Sequence, residues 1–191
     1  NIITRNFAFS GLTLTHSLVA PVGGIDGGLG QANINITNGF VTGGEITLAN
    51  QSIAEVGVFT LNAGPADDYL GVSDADIPLS RSVNVGRFYP DHFRLLSSTL
   101  DNACVAGNFS YMGQPLSLEY IVQAENLAGA ITQNYDDDSL GWTPTATLSY
   151  QAENNNDGVE RNIANRFTVN TLDWNQGVVA VSDPVASFLR K

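Results

Sequence analysis

The sequence predicts an all-β protein, an antiparallel β-sandwich arranged as two immunoglobulin-like sandwiches in tandem. Three observations carry this reading. Apolar and polar residues alternate with a period of two through most ordered-looking runs, the pattern of half-buried strands whose successive side chains face opposite sides. Residues that tolerate positive φ separate these runs: Gly23-Gly24, Asp26-Gly27-Gly28, Asn38-Gly39, Gly43-Gly44, Asn62-Ala-Gly64 and Asn156-Asp157-Gly158. They recur about every 8 to 15 residues, the rhythm of antiparallel sheets, and no window of about a dozen residues carries a helical apolar stripe.

The alternating runs, in order, are Leu12 to Leu18, Ala32 to Ile36, Glu45 to Leu48, Val56 to Leu61, Leu116 to Ala124, Ala146 to Tyr150 and Phe167 to Val169. The fifth is the clearest. Leu116, Leu118, Tyr120, Val122 and Ala124 share one face, whereas Ser117, Glu119 and Gln123 share the other. Valine, isoleucine, threonine and aromatic residues are frequent in these runs, as a pleated surface favours. Asp67, Asp68, Asp74, Asp76 and Pro78 form a polar interval, after which Val83 to Leu95 resumes an extended pattern. A boundary is therefore expected near residue 86, giving sandwiches over 1–86 and 87–191, with Arg87 to Leu96 opening the second.

Composition narrows the function. Of 191 residues, 43% are hydrophobic and 14% charged, a globular balance, and 8 Lys+Arg against 19 Asp+Glu leave a net charge of −11. Lys191 is the single lysine, so no basic patch exists to neutralise phosphates, and nucleic acid is not expected as a partner. Apolar stretches such as Val178 to Val181 fall far short of the roughly 20 residues that span a bilayer, so this segment is not expected to insert into a membrane. Cys104 is the only cysteine, which excludes an internal disulfide and a cysteine-rich zinc site. Asn1 follows no start methionine or apolar leader, so the chain is expected to be a segment of a longer polypeptide.

Several segments carry a family resemblance. The run Val85-Gly-Arg-Phe-Tyr-Pro-Asp-His-Phe93 is followed by Phe109-Ser-Tyr-Met-Gly-Gln-Pro-Leu116, Ala124-Glu-Asn-Leu-Ala-Gly129 and Asn134-Tyr135, with Glu55 to Leu61 and Tyr69-Leu-Gly71 before them. Together they resemble the conserved region of the MshQ family, large proteins associated with biogenesis of the mannose-sensitive haemagglutinin (MSHA) type IV pilus in Gram-negative bacteria. The resemblance covers about residues 55 to 135. It implies an exported location, at the cell surface or in the periplasm, and pilus-biogenesis or cell-surface proteins as partners. It brings no catalytic motif. The matching positions are Arg87, Phe88, Pro90, Phe93, Tyr111, Met112, Gln114, Pro115, Asn134 and Tyr135. Their residue types read as structural: Pro90 belongs at an edge or bend, Phe88 and Phe93 suit the junction between the halves, and Tyr111 and Tyr135 suit hydrogen bonds to backbone at sheet corners.

Catalytic constellations are scarce. His16 and His92 are the only histidines, and neither lies in a nucleophile elbow or a metalloprotease helix. Asp91 beside His92 could orient a base. Glu119, Glu125, Glu153 and Glu160 are carboxylates of the type used in glycoside hydrolysis, and spacing selects none of them. No cofactor is expected. Calcium is the alternative, at Asp136 and Asp138 in the triple-aspartate run and at Asp157 in Asn154 to Gly158. An EF-hand pattern is absent, because the twelfth position counted from Glu153 is Ala164.

Two functions compete, with a carbohydrate-active enzyme, which needs two carboxylates in one cleft, as a third reading. The first is a non-enzymatic structural or docking module of an exported, MSHA-associated protein. The second is a carbohydrate-binding or adhesive module, in which Trp142 and Trp174 would stack on sugar faces.

Overall fold

The computed structural model describes residues 3–7, 12–30, 44–48, 51–136, 146, 166–168 and 173–189. The chain divides into two compact units, Asn1–Tyr89 and Pro90–Lys191. Among the described residues each holds one antiparallel four-stranded sheet. Among the described residues the helical elements are short 3₁₀ turns at Asp74–Asp76 and Val105–Gly107, and no helix is long and apolar enough to cross a membrane. The predicted all-β class is the observed one. The runs Ala32 to Ile36 and Ala146 to Tyr150 lie outside the described residues, Ala146 apart.

The first unit is built on β2, Gly57–Pro65, which pairs with β1, Leu12–Ala20, on one side. On its other side it meets β3, Ser80–Arg81, and β4, Val85–Phe88. Phe59 is fully buried, with its ring 5.9 Å from Phe88 and 5.8 Å from His16, and Val56 is enclosed beside it. Gly57 has a φ of +149°, and a Cβ there would lie 2.7 Å from the Ala20 carbonyl oxygen, so glycine alone fits where β2 passes the end of β1. Glu45 to Leu48 differs from expectation. Only Glu45 takes part in a bridge and no ladder follows, because alternation selects a face while a strand also needs a partner.

The strand expected from Arg87 to Leu96 is two strands. Its first residues belong to β4, which pairs with β2. Pro90 then interrupts, lacking an N–H for any ladder, and β5, His92–Asp101, begins beyond it.

In the second unit the order is β5, β6 (Leu116–Glu125), β8 (Val178–Phe188) and β7 (Phe167–Thr168). β6 holds the predicted face: Leu116, Tyr120 and Ala124 are buried and Glu119 is exposed. Across from it, Val179, Val181 and Ala186 of β8 are buried on the same side. β8 contains Pro184, which falls where the register shifts between Leu116 paired to Ala186 and Leu118 paired to Asp183. The bulge removes the need for a ladder N–H, and Asp183 Oδ1 accepts the Val185 N–H at 3.0 Å.

Phe59→Ala is expected to lower unfolding stability by about 3–5 kcal/mol, because the ring has no solvent exposure to lose. Val83→Ala, at an 86% exposed position, should stay within about 0.5 kcal/mol. Urea denaturation of the two variants checks the contrast.

Candidate functional site

At one end of the β5–β6 pair the second unit brings Asp91, His92, Arg94 and Glu125 together. The register sets His92 opposite Glu125 and Arg94 opposite Gln123, so the two cations, two residues apart, flank Glu125 on one face of the sheet. The intervening Phe93 points to the other face with Ala124. Glu125 Oε1 accepts from Arg94 Nε and Nη2, each at 2.6 Å, and Oε2 lies 3.2 Å from His92 Nε2. His92 Nδ1 lies 2.9 Å from Asp91 Oδ2. The Glu125 side chain is only 2% exposed, against 54% for Arg94 and 45% for His92. A glycine turn closes over it: a Cβ on Gly129 would stand 3.7 Å from Oε2.

Chemistry follows from this geometry. Both imidazole nitrogens face carboxylate oxygens, and only the imidazolium can donate from both at once. The Asp91 hydrogen bond is the main cause that raises the His92 pKa above its ordinary 6.5; partial desolvation opposes it, and Glu125 adds to it. A general base needs a nitrogen turned toward substrate. Here both are committed to the protein, and the cluster acts as a charged clasp between β5 and β6.

A second set of residues surrounds the strap Thr132–Asp136. Ala124 donates its N–H to Gly177 O, while its carbonyl accepts both the Thr132 N–H and Oγ1. Gly177 N–H donates to Tyr135 O at 2.8 Å, and Gln176 N–H donates to Asp136 Oδ2 at 3.0 Å. Gln176 and Gly177 have φ of +46° and +78°, the type I′ geometry that returns the chain from Asn175 into β8. Above the strap Phe93, Tyr135 and Trp174 form a ring cluster with centroids 5.0 to 5.7 Å apart.

The sequence-predicted residues separate between these places. Phe88 packs on Phe59 within the first unit, and Phe93 packs on Tyr135 and Trp174 within the second. Arg87 is exposed on β4 and Pro90 is half-buried. The Tyr135 hydroxyl accepts the Ala146 N–H at 2.6 Å. Tyr111 is 67% exposed and packs edge-on against Phe109. Gln114 closes the turn that holds Tyr111, Met112 and Gly113: its Oε1 accepts the Tyr111 N–H at 2.8 Å, and exposed Pro115 leads into β6. Asn134 is buried in the strap.

Trp174 changes role. Its indole is 1% exposed and donates Nε1–H to Ala146 O at 2.8 Å, so it offers no face for a sugar and is a core residue. Asp136 is buried with its carboxylate turned onto Gln176 N–H. Asp138, Asp157 and Trp142 lie outside the described residues, as do Glu153 and Glu160. Among the described residues no group of three or more His, Cys, Asp or Glu is placed to hold a metal ion. His16 donates from Nε2 to the Asp26 carbonyl at 2.9 Å, fastening β1 to its following loop.

Arg94 is the residue that sequence reasoning passed over. Its position two residues after His92, with the same face implied by the strand period, was the available signal. The first unit adds an apolar pocket of about 250 Å³ lined by Phe7, Leu12, Tyr69, Ile77 and Pro78.

Residues 55–191 match the family model described as DUF6701, third domain. No curated protein and no solved structure matches the chain.

Two outcomes test the clasp. Because the folded His92 pKa is raised, its protonation adds stability that is complete below about pH 6.5 and is lost as pH rises through the folded value. The urea midpoint of the wild-type chain should therefore fall relative to that of His92→Gln between about pH 6 and 8. Arg94→Met strips the guanidinium from Glu125 Oε1 and should cost about 1.5–3 kcal/mol, more than an exposed ion pair, because Glu125 is buried. Adding Glu125→Gln should restore part of that loss, since a neutral amide is less costly to bury alone than a carboxylate.

Proposed function

The chain belongs to the DUF6701 family, as its third domain over residues 55–191, and from that premise we propose that it is a non-enzymatic structural and docking module of a large exported bacterial protein. In this reading the protein is MshQ-like, associated with the MSHA type IV pilus and its biogenesis, and each unit is an immunoglobulin-like sandwich. The supporting observation is the use made of the motif residues. Asn134 and Tyr135 are buried, Phe88 and one side of Phe93 pack on rings of their own units, and His92 turns both ring nitrogens onto carboxylates of its own chain. Such residues support a rigid surface. The sugar-binding alternative loses support from Trp174, whose indole is enclosed.

Shear fractionation of a bacterium producing the full-length protein, probed with an antibody against this segment, is expected to place it with the envelope and pilus fraction. Recovery from the cytosol would overturn the location. Turnover of a glycan or peptide library that disappears in His92→Ala would overturn the non-enzymatic role.

A further inference from the structure

β5 stands at the edge of its sheet with β6 as its only ladder partner among the described strands, and all ten of its residues are exposed. Its inner face continues the core face of β6. Phe93, Leu95, Ser98 and Leu100 pair with Ala124, Val122, Tyr120 and Leu118, of which Ala124 and Tyr120 are buried and Val122 and Leu118 half-buried. Yet Phe93 is 46%, Leu95 58% and Leu100 53% exposed. An open row of backbone donors and acceptors beside an apolar row is a site for adding a strand. β5 contains neither lysine nor proline, its charged residues His92, Arg94 and Asp101 lie on the outer face, and a bulge between Leu95 and Ser97 is its one irregularity.

We propose that β5 pairs with β5 of a second copy of this chain, antiparallel about a two-fold axis, joining the two four-stranded sheets into one. The strand matches itself face for face in the register that pairs all ten of its residues. Phe93 then faces the partner's Leu100, Leu95 the partner's Ser98, Arg94 the partner's Thr99, and His92 the partner's Asp101. The bulge makes this possible. Because Leu96 is the extra residue, inner positions fall at 93, 95, 98 and 100, and outer positions at 92, 94, 97, 99 and 101. Inner residues thereby meet inner ones and outer residues meet outer ones on either side of a central pair of Leu96 with the partner's Ser97, while a slip by one would set Phe93 against the outer Thr99 or Asp101. Asp101 of each strand comes to lie beside the partner's His92, at the exposed edge of the clasp. A two-fold contact uses the same patch on both copies and closes at the dimer. The net charge of −11 opposes approach over long range, so physiological salt, with a Debye length of about 8 Å, favours the meeting.

This inference deepens the docking reading by naming a partner, and its test is separate from cell fractionation. Sedimentation equilibrium of the whole chain in about 0.15 M salt should show a reversible monomer–dimer equilibrium, and Leu95→Lys with Leu100→Lys should raise the dissociation constant at least about tenfold with an unchanged far-UV spectrum. Register is read by cross-linking in a Cys104→Ser background. Leu95→Cys with Ser98→Cys should oxidise to a covalent dimer, whereas Leu95→Cys with Thr99→Cys, on opposite faces, should not. A chain that remains monomeric across the concentration range, or that cross-links equally in both backgrounds, overturns the proposal. A monomer found in the pilus fraction would leave the docking reading intact and assign β5 to another partner.

Discussion

Ala124 occupies the corner on which the second unit is assembled. Its N–H reaches Gly177 and its carbonyl receives Thr132 twice, so one residue of β6 holds both the strap and the turn that starts β8. A buried backbone group without a partner would cost about 1–3 kcal/mol, which makes the three-way arrangement strict. Gly177 is required in it: a Cβ there would lie 2.5 Å from Thr132 O. With the strap in place, Tyr135 and Trp174 are brought into ring contact and the inward side of Phe93 gains a surface to pack on.

One residue further along β6, the opposite face carries the opposite chemistry. Glu125 is buried and charged, a state that needs donors on both oxygens, and β5 supplies them through Arg94 and His92. Antiparallel register links the two faces. The pairing that puts Phe93 beside Ala124 also puts His92 beside Glu125, so a slip would break the ring cluster and the clasp together. Core packing and ion pairing thus specify the same alignment from two sides of the sheet. That double specification ends with β6. On its outer edge β5 has apolar residues and backbone groups with nothing described beside them.

Strands with an uninterrupted two-residue period were legible from sequence. β1, β2 and β6 appear where alternation placed them, and the buried face of β6 is the predicted one. β8 was read only as the apolar stretch Val178 to Val181, because Pro184 and a three-residue step around it break the alternation that a regular strand would show. β3 and β7 are two residues each, too short for any period to register. The extended run across Arg87 to Leu96 gave no sign that its two ends belong to different sheets.

Local chemistry, acting over a few residues, was sufficient to determine the all-β class and the inward set on β6, since each depends on side-chain period, whereas Asn62-Ala-Gly64, a turn by residue type, lies inside β2 and pairs with β1. The charges of Asp91, His92, Arg94 and Glu125 were equally plain. Only tertiary structure decided that they meet, because His92 and Glu125 are brought together by a hairpin-like pairing whose register no local pattern contains. The same holds for Trp174. An indole near a turn suits a sugar or a core equally well by type, and its burial follows from Tyr135 and Phe93 arriving from distant segments. Periodicity is a property of one strand, whereas register, burial and ion pairing are properties of two, and those require the closed loop between them.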